Sequence, residues 1–125
     1  FDCDDNSNEA LKAASDTAEK HGYGIAFSNP CFEYWYLLHF MQHNAHLKGA
    51  DEVIHLLQAK GRLEKYEKNQ DVFHSLLPHQ SEAADRAAKR LEQLYRDGII
   101  VMSRDSNPAT TVHKLVAYLN EQNKK

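Results

Sequence analysis

The amino-acid sequence predicts a helix-rich α/β fold, with a small, mostly parallel sheet and about five to six helices in one domain over residues 1–125. Three observations carry that expectation. A helix-period segment ends at glycines and is followed at once by a short apolar run, Ile25-Ala26-Phe27, an order that gives βα units and parallel pairing. A nearly all-apolar stretch follows Ser28-Asn29-Pro30 and reads as a buried helix. Farther on, Gln80 to Arg96 is the clearest amphipathic helix of the chain.

Taken in order, Phe1-Asp2 reads as the end of a strand, so natural sequence is expected upstream of Phe1. Asn6-Ser7-Asn8 supplies capping residues, and Ala10, Leu11, Ala14, Thr17, Ala18 and His21 then share one helical face. Gly22 and Gly24 end that helix, and Ile25 to Phe27 forms a buried strand. Asn29-Pro30 then starts a buried helix over Cys31 to Met41, because Asn caps and Pro tolerates the first helical position. Gly49-Ala50-Asp51 opens another, with Val53, Ile54 and Leu57 inward, and Lys60 to Lys68 is an exposed loop. A short helix from Asp71 ends at Pro78, and the long helix over Gln80–Arg96 turns Ala84, Ala87, Ala88, Leu91, Leu94 and Tyr95 to the core. Ile99 to Met102 is open between an edge strand and a buried extended segment. A second Ser-Asn-Pro, at 106–108, starts the last helix, with Val112, Leu115, Val116 and Leu119 inward.

Composition narrows the function. Apolar residues at 42% and charged residues at 26% suit a packed core. No apolar run approaches the roughly 20 residues that span a bilayer, and no basic leader is visible at Phe1. Two cysteines, Cys3 and Cys31, are too few for a disulfide scaffold, and a reduced cytoplasmic setting is the simpler reading. With a net charge of −3, any nucleic-acid contact needs a local patch or a metal bridging phosphate to carboxylate.

Four groups of residues could carry chemistry. In Asp2-Cys3-Asp4-Asp5, a strand would put Asp2 and Asp4 on one face. Two such carboxylates repel until a hard cation takes oxygen ligands from both; the alternative is an exposed acidic loop. Glu33 lies in a very apolar helix, where a charge needs a cation partner or a route to solvent. His39, His43 and His46 include an i, i+4 pair that could hold zinc, but no Cys or acidic residue completes the pattern nearby, and ordinary surface or interface histidines are the simpler reading. Lys60, Arg62, Lys65 and Lys68 surround Tyr66 and could track a nucleic-acid backbone, but Glu64 and Glu67 interrupt them.

Four blocks of the sequence together resemble the RloB-like family. They are Phe1-Asp2-Cys3-Asp4-Asp5; Ser28-Asn29-Pro30-Cys31-Phe32-Glu33-x-Trp35-x-Leu37-Leu38-His39-Phe40; Tyr66-x-Lys68; and Asn107-Pro108-Ala109-Thr110-Thr111-Val112 with Leu115-Val116. The resemblance spans nearly the whole chain, and the Ser28–Phe40 block is the most specific. It implies a protein encoded beside restriction–modification and other phage-defence genes, with a Toprim-like fold. In that fold a Glu after the first strand and an Asp-x-Asp after a later one hold Mg²⁺, or Mn²⁺ in its place. Asp2 and Asp4 match the Asp-x-Asp, Asp5 extends it, and Glu33 joins them as a catalytic group. Asn29, His39 and Lys68 would face the substrate. The upstream strand with its Glu is absent from this sequence, so a fragment of the fold is expected. Such a fragment would bind metal weakly and expose a sheet edge open to dimerisation. The implied function is a Mg²⁺-dependent nuclease or related phosphoryl-transfer protein acting on nucleic acid. The alternative is a non-catalytic subunit binding nucleic acid or protein, with the helices around Trp35 and Ala87 as its interfaces.

Overall fold

Ser7 starts the first helix as the sequence predicts, its Oγ accepting from the Ala10 N–H at 3.1 Å. The computed structural model describes residues 2–3, 7–21, 25–67 and 72–123. Six α-helices are present among these residues: α1 (Asn8–His21), α2 (Glu33–Leu38), α3 (Ala50–Leu57), α4 (Phe73–Leu76), α5 (Gln80–Arg96) and α6 (Val112–Asn123). Two short strands, β1 (Ser28–Asn29) and β2 (Ala109–Thr110), pair antiparallel, Ser28 opposite Thr110 and Asn29 opposite Ala109.

The mostly parallel sheet of an α/β fold is therefore corrected to a helix-rich fold with one two-residue antiparallel pair among the described residues. Among the described residues, parallel pairing is limited to a single bridge between Asp2 and Ser28. The reason lies at Ile25–Phe27, which forms no strand. Its backbone is claimed by Thr111: the Phe27 N–H donates to Thr111 Oγ1 at 2.8 Å, the Thr111 N–H to the Phe27 carbonyl at 2.8 Å, and Thr111 Oγ1 to the Ile25 carbonyl at 3.1 Å. An apolar run announces burial but not its partner, and the partner here comes from the far end of the chain.

Both Ser-Asn-Pro tripeptides lead into or out of this pair rather than directly into helices, and both Asn-Pro peptides are cis. Helix α2 opens only at Glu33 and ends at Leu38, shorter than the expected 31–41. Asn29 does not cap it, because its amide is turned to residues 103–106. Asn107 braces a different loop, accepting from the Leu47 N–H at 2.8 Å and donating to the Leu47 carbonyl at 2.6 Å. Pro78 does not end the α4 segment either. It sits in a 3₁₀ turn, Leu77–His79, that runs straight into α5, since a proline early in a helix forfeits no intrahelical bond.

Tyr34, Trp35, Leu37 and Leu38 of α2 form the centre of the core with Val53 and Leu57 of α3, Ala83 and Ala87 of α5, and Val112. Each buried Leu or Val contributes about 1.5–3 kcal/mol. Trp35 and Ala87, named above as interface candidates, are thus interior residues. Helix α5 buries Ala83, Ala87, Arg90 and Leu94; the face is rotated from the predicted one, leaving Ala88 and Tyr95 exposed. Arg90 turns inward because its Nε donates to the Pro108 carbonyl at 2.7 Å and its Nη2 to the Asn107 carbonyl at 3.3 Å. Helix α6 buries Val112 and packs the partly buried Val116 against the core, with Leu115, Tyr118 and Leu119 exposed. No helix among the described residues is long and apolar enough to cross a membrane.

Candidate functional site

Glu33 stands at the first position of α2 and is only 4% exposed. Tyr66, from the chain that follows α3, donates its phenol O–H to Glu33 Oε2 at 2.8 Å. Tyr66 is itself fixed: Gln58 Nε2 donates to its carbonyl at 2.8 Å, its N–H donates to the Leu63 carbonyl at 3.0 Å, and its ring meets Tyr36 edge-on at 5.9 Å. The other carboxylate oxygen, Glu33 Oε1, is buried and has no hydrogen-bond partner among the described residues. Leaving a buried acceptor unmet costs about 1–3 kcal/mol, and more for a charged group.

Cys31 is a buried neighbour of this carboxylate, and its thiol hydrogen-bonds the Glu33 side chain. Burial pushes its thiol pKa far up, and the charges of Glu33 and then Asp2 push it the same way. The thiol stays protonated, so Cys31 is neither a nucleophile nor a thiolate ligand at neutral pH. Burial likewise raises the Tyr66 phenol, with the Glu33 carboxylate adding to it, so Tyr66 is a fixed proton donor. Asp2 is half-buried and joins this region through its bridge to Ser28. Asp4, Asp5 and Lys68 lie outside the described residues.

The other predicted substrate contacts are occupied inside the protein. Asn29 is 2% exposed. Its Nδ2 donates to the Ser103 carbonyl at 3.1 Å, the Arg104 carbonyl at 3.2 Å and Ser106 Oγ at 3.3 Å. His39 is buried, with Nδ1 donating to the Trp35 carbonyl at 2.9 Å, and desolvation lowers its pKa. Because α2 ends at Leu38, His39 and His43 do not share a helical face, and the zinc pairing loses its geometry. Lys60 and Lys65 are exposed, while Arg62 Nη1 is spent on the Leu56 carbonyl at 2.8 Å. An open apolar hollow of about 500 Å³, lined by Phe27, Leu91, Tyr95, Val101 and Met102, includes neither Asp2 nor Glu33.

A divalent cation can be tested against this donor set. No group of three His, Cys, Asp or Glu side chains among the described residues could hold an ion, so a closed protein cage is not formed by them. Mg²⁺ does not need one. It takes hard oxygen ligands, commonly one or two carboxylates plus water and substrate phosphate. Asp2 and Oε1 of Glu33 are oxygen donors of that kind. Sequence reading singled out Glu33 but missed Tyr66 as its partner; the signal was a lone aromatic within a charged stretch.

A family model described as RloB-like protein matches residues 1–119. Neither a curated protein nor a solved structure matches the chain.

Proposed function

Since the chain belongs to the RloB-like family, we propose that it is a Mg²⁺-dependent nuclease, or a related phosphoryl-transfer protein, acting on nucleic acid in bacterial phage defence. The observation that carries this reading is Glu33: a carboxylate at the start of an apolar helix, held at Oε2 by Tyr66 and hydrogen-bonded by the Cys31 thiol. Among the described residues no cation is paired to it, and its Oε1 is buried without an N–H or O–H donor. Nothing in core packing requires an acid there, and a cation drawn in beside it would offset the cost.

Asp2 and Glu33 would hold the ion, with Asp4 and Asp5 adjoining Asp2 in sequence. Bound there, Mg²⁺ supplies Lewis-acid polarisation of a phosphate and a more acidic water. Tyr66 orients Glu33, and the Cys31 thiol hydrogen-bonds the same side chain. The cytoplasm, where both thiols stay reduced, is the compartment this reading implies.

The test is cleavage of DNA and RNA by the purified protein with Mg²⁺ or Mn²⁺. Asp2→Ala combined with Asp4→Ala, and separately Glu33→Gln, should each lower the rate at least about 100-fold, the scale on which positioned catalytic groups act. Undiminished cleavage by these variants would overturn the assignment.

A second reading has its own observation. Leu115, Tyr118 and Leu119 are exposed together on α6, which favours a binding subunit whose partner covers that helix. Loss of defence on substituting them, with the acidic residues dispensable, would favour it over the enzyme.

A further inference from the structure

We propose that Tyr66 is the positioning residue of the cation site: by holding Glu33 Oε2, its phenol leaves Oε1 as the oxygen presented to the ion. This rests on the reading of Glu33 as a cation ligand given above.

Core packing does not require the phenol hydroxyl. Tyr66 is 3% exposed, and a phenylalanine would fill the same volume without burying a hydroxyl. Its ring has its own packing partner in Tyr36, and its backbone is already tied to Gln58 and Leu63. The hydroxyl therefore serves Glu33, at 2.8 Å. Glu33 in turn forms no ion pair among the described residues. Replacing a buried polar pair by packed apolar side chains is often neutral or stabilising, so stability does not account for Tyr66–Glu33. Holding one oxygen of an acid so that the other keeps a fixed direction is what an outer hydrogen-bond partner does for a metal ligand.

The placement also fixes where the basic stretch begins. The chain from Lys60 to Lys65 is exposed apart from the half-buried Arg62 and Leu63, and Tyr66 is the point at which it re-enters the core. The same residue that orients the acid thus anchors the loop that carries the lysines.

Mn²⁺ binding, followed by the electron paramagnetic resonance signal of the free ion, separates positioning from packing. It is measured on the wild type, Tyr66→Phe, Glu33→Gln and the double variant, each shown by circular dichroism to be folded. The expected result is Mn²⁺ binding by the wild type, weakened about 10–100-fold by Tyr66→Phe. Glu33→Gln weakens it at least as much, and the double variant is no weaker than Glu33→Gln. With a nucleic-acid substrate, Tyr66→Phe lowers kcat and leaves KM unchanged.

Should Glu33→Gln weaken binding while Tyr66→Phe binds like the wild type, Tyr66 is only a core residue and the inference is overturned with the site intact. If the wild type binds no Mn²⁺, or Glu33→Gln binds it equally, the cation reading itself fails, and the inference with it. Where Tyr66→Phe does not fold, Gln58→Ala removes only the anchor on the Tyr66 carbonyl. It should weaken Mn²⁺ binding about threefold or more by loosening the same contact, and unchanged affinity in that variant overturns the proposal.

Discussion

Replacing Asn29 by alanine should destabilise the protein by about 2–3 kcal/mol without any specific effect on substrate binding. The amide Nδ2 carries two protons shared among three acceptors: the carbonyls of Ser103 and Arg104 and the hydroxyl of Ser106. Two net hydrogen bonds are worth about 1 kcal/mol each. Weakening buried backbone acceptors adds a further part of the roughly 1–3 kcal/mol that such groups cost when left unmet. Ser103 retains the Ser106 hydroxyl, which donates to its carbonyl at 2.8 Å, so the upper end of that range does not apply. For a chain of this length the sum corresponds to a fall in Tm of about 10 °C. Urea denaturation should show a lower midpoint with an unchanged slope. Asn29→Asp should be worse than alanine, because it aims a carboxylate at two carbonyl oxygens. An alanine variant that loses less than about 1 kcal/mol, or an aspartate variant as stable as the wild type, would refute this reasoning. A raised KM at full stability would return Asn29 to the role of substrate contact.

Further outcomes follow from burial and charge. His39 and His113 both have pKa values lowered by desolvation. Unfolding therefore takes up protons below the ordinary histidine value of about 6.5. Stability should be full above that pH and decline as pH falls from it toward the folded-state values. A variant with His39→Gln and His113→Gln should show a flatter profile between pH 7.5 and pH 5, and an unchanged slope would contradict the lowered values. Cys3 and Cys31 are each 1% exposed, so a thiol reagent should label neither in the native protein and both after denaturation; rapid native labelling would contradict their burial. Leu57→Ala should cost about 2–5 kcal/mol, whereas Leu115→Ala should change stability by less than about 0.5 kcal/mol. Similar losses from both would restore α6 to the core face that its sequence suggested.

Much of the helical framework was legible. Ser7 capped α1, Gly49-Ala50-Asp51 opened α3, and the period over Gln80–Arg96 marked α5 to the residue. Those signals are local, and local hydrogen bonding decides them. The sheet was not legible, because Phe27 and Thr111 meet through a contact 84 residues apart in sequence. Two helix faces were misread: α6 leaves the apolar Leu115 and Leu119 exposed, and α5 is turned by a polar side chain. Arg90 reached backbone carbonyls and turned α5 by part of a turn, which no hydrophobic pattern registers. At the candidate site, Glu33 stood out as a charge in an apolar helix, whereas Tyr66 looked like a solvated residue among lysines. Asn29 and His39 were marked as polar residues in a specific block, and both are interior hydrogen-bond donors.

The pairing of Ser28 with Thr110 closes a chain loop of 82 residues. Bringing such ends together costs about 4 kcal/mol of chain entropy. The contacts at the closure, from Ser28–Thr110 and the three bonds between Thr111 and Ile25 or Phe27, return about 1 kcal/mol apiece. Gain and loss nearly cancel, so this clasp cannot nucleate the fold. It should lock only after α2, α3 and α5 have assembled and shortened the effective loop. Substitutions of Thr111 should accordingly speed unfolding while leaving the refolding rate almost untouched.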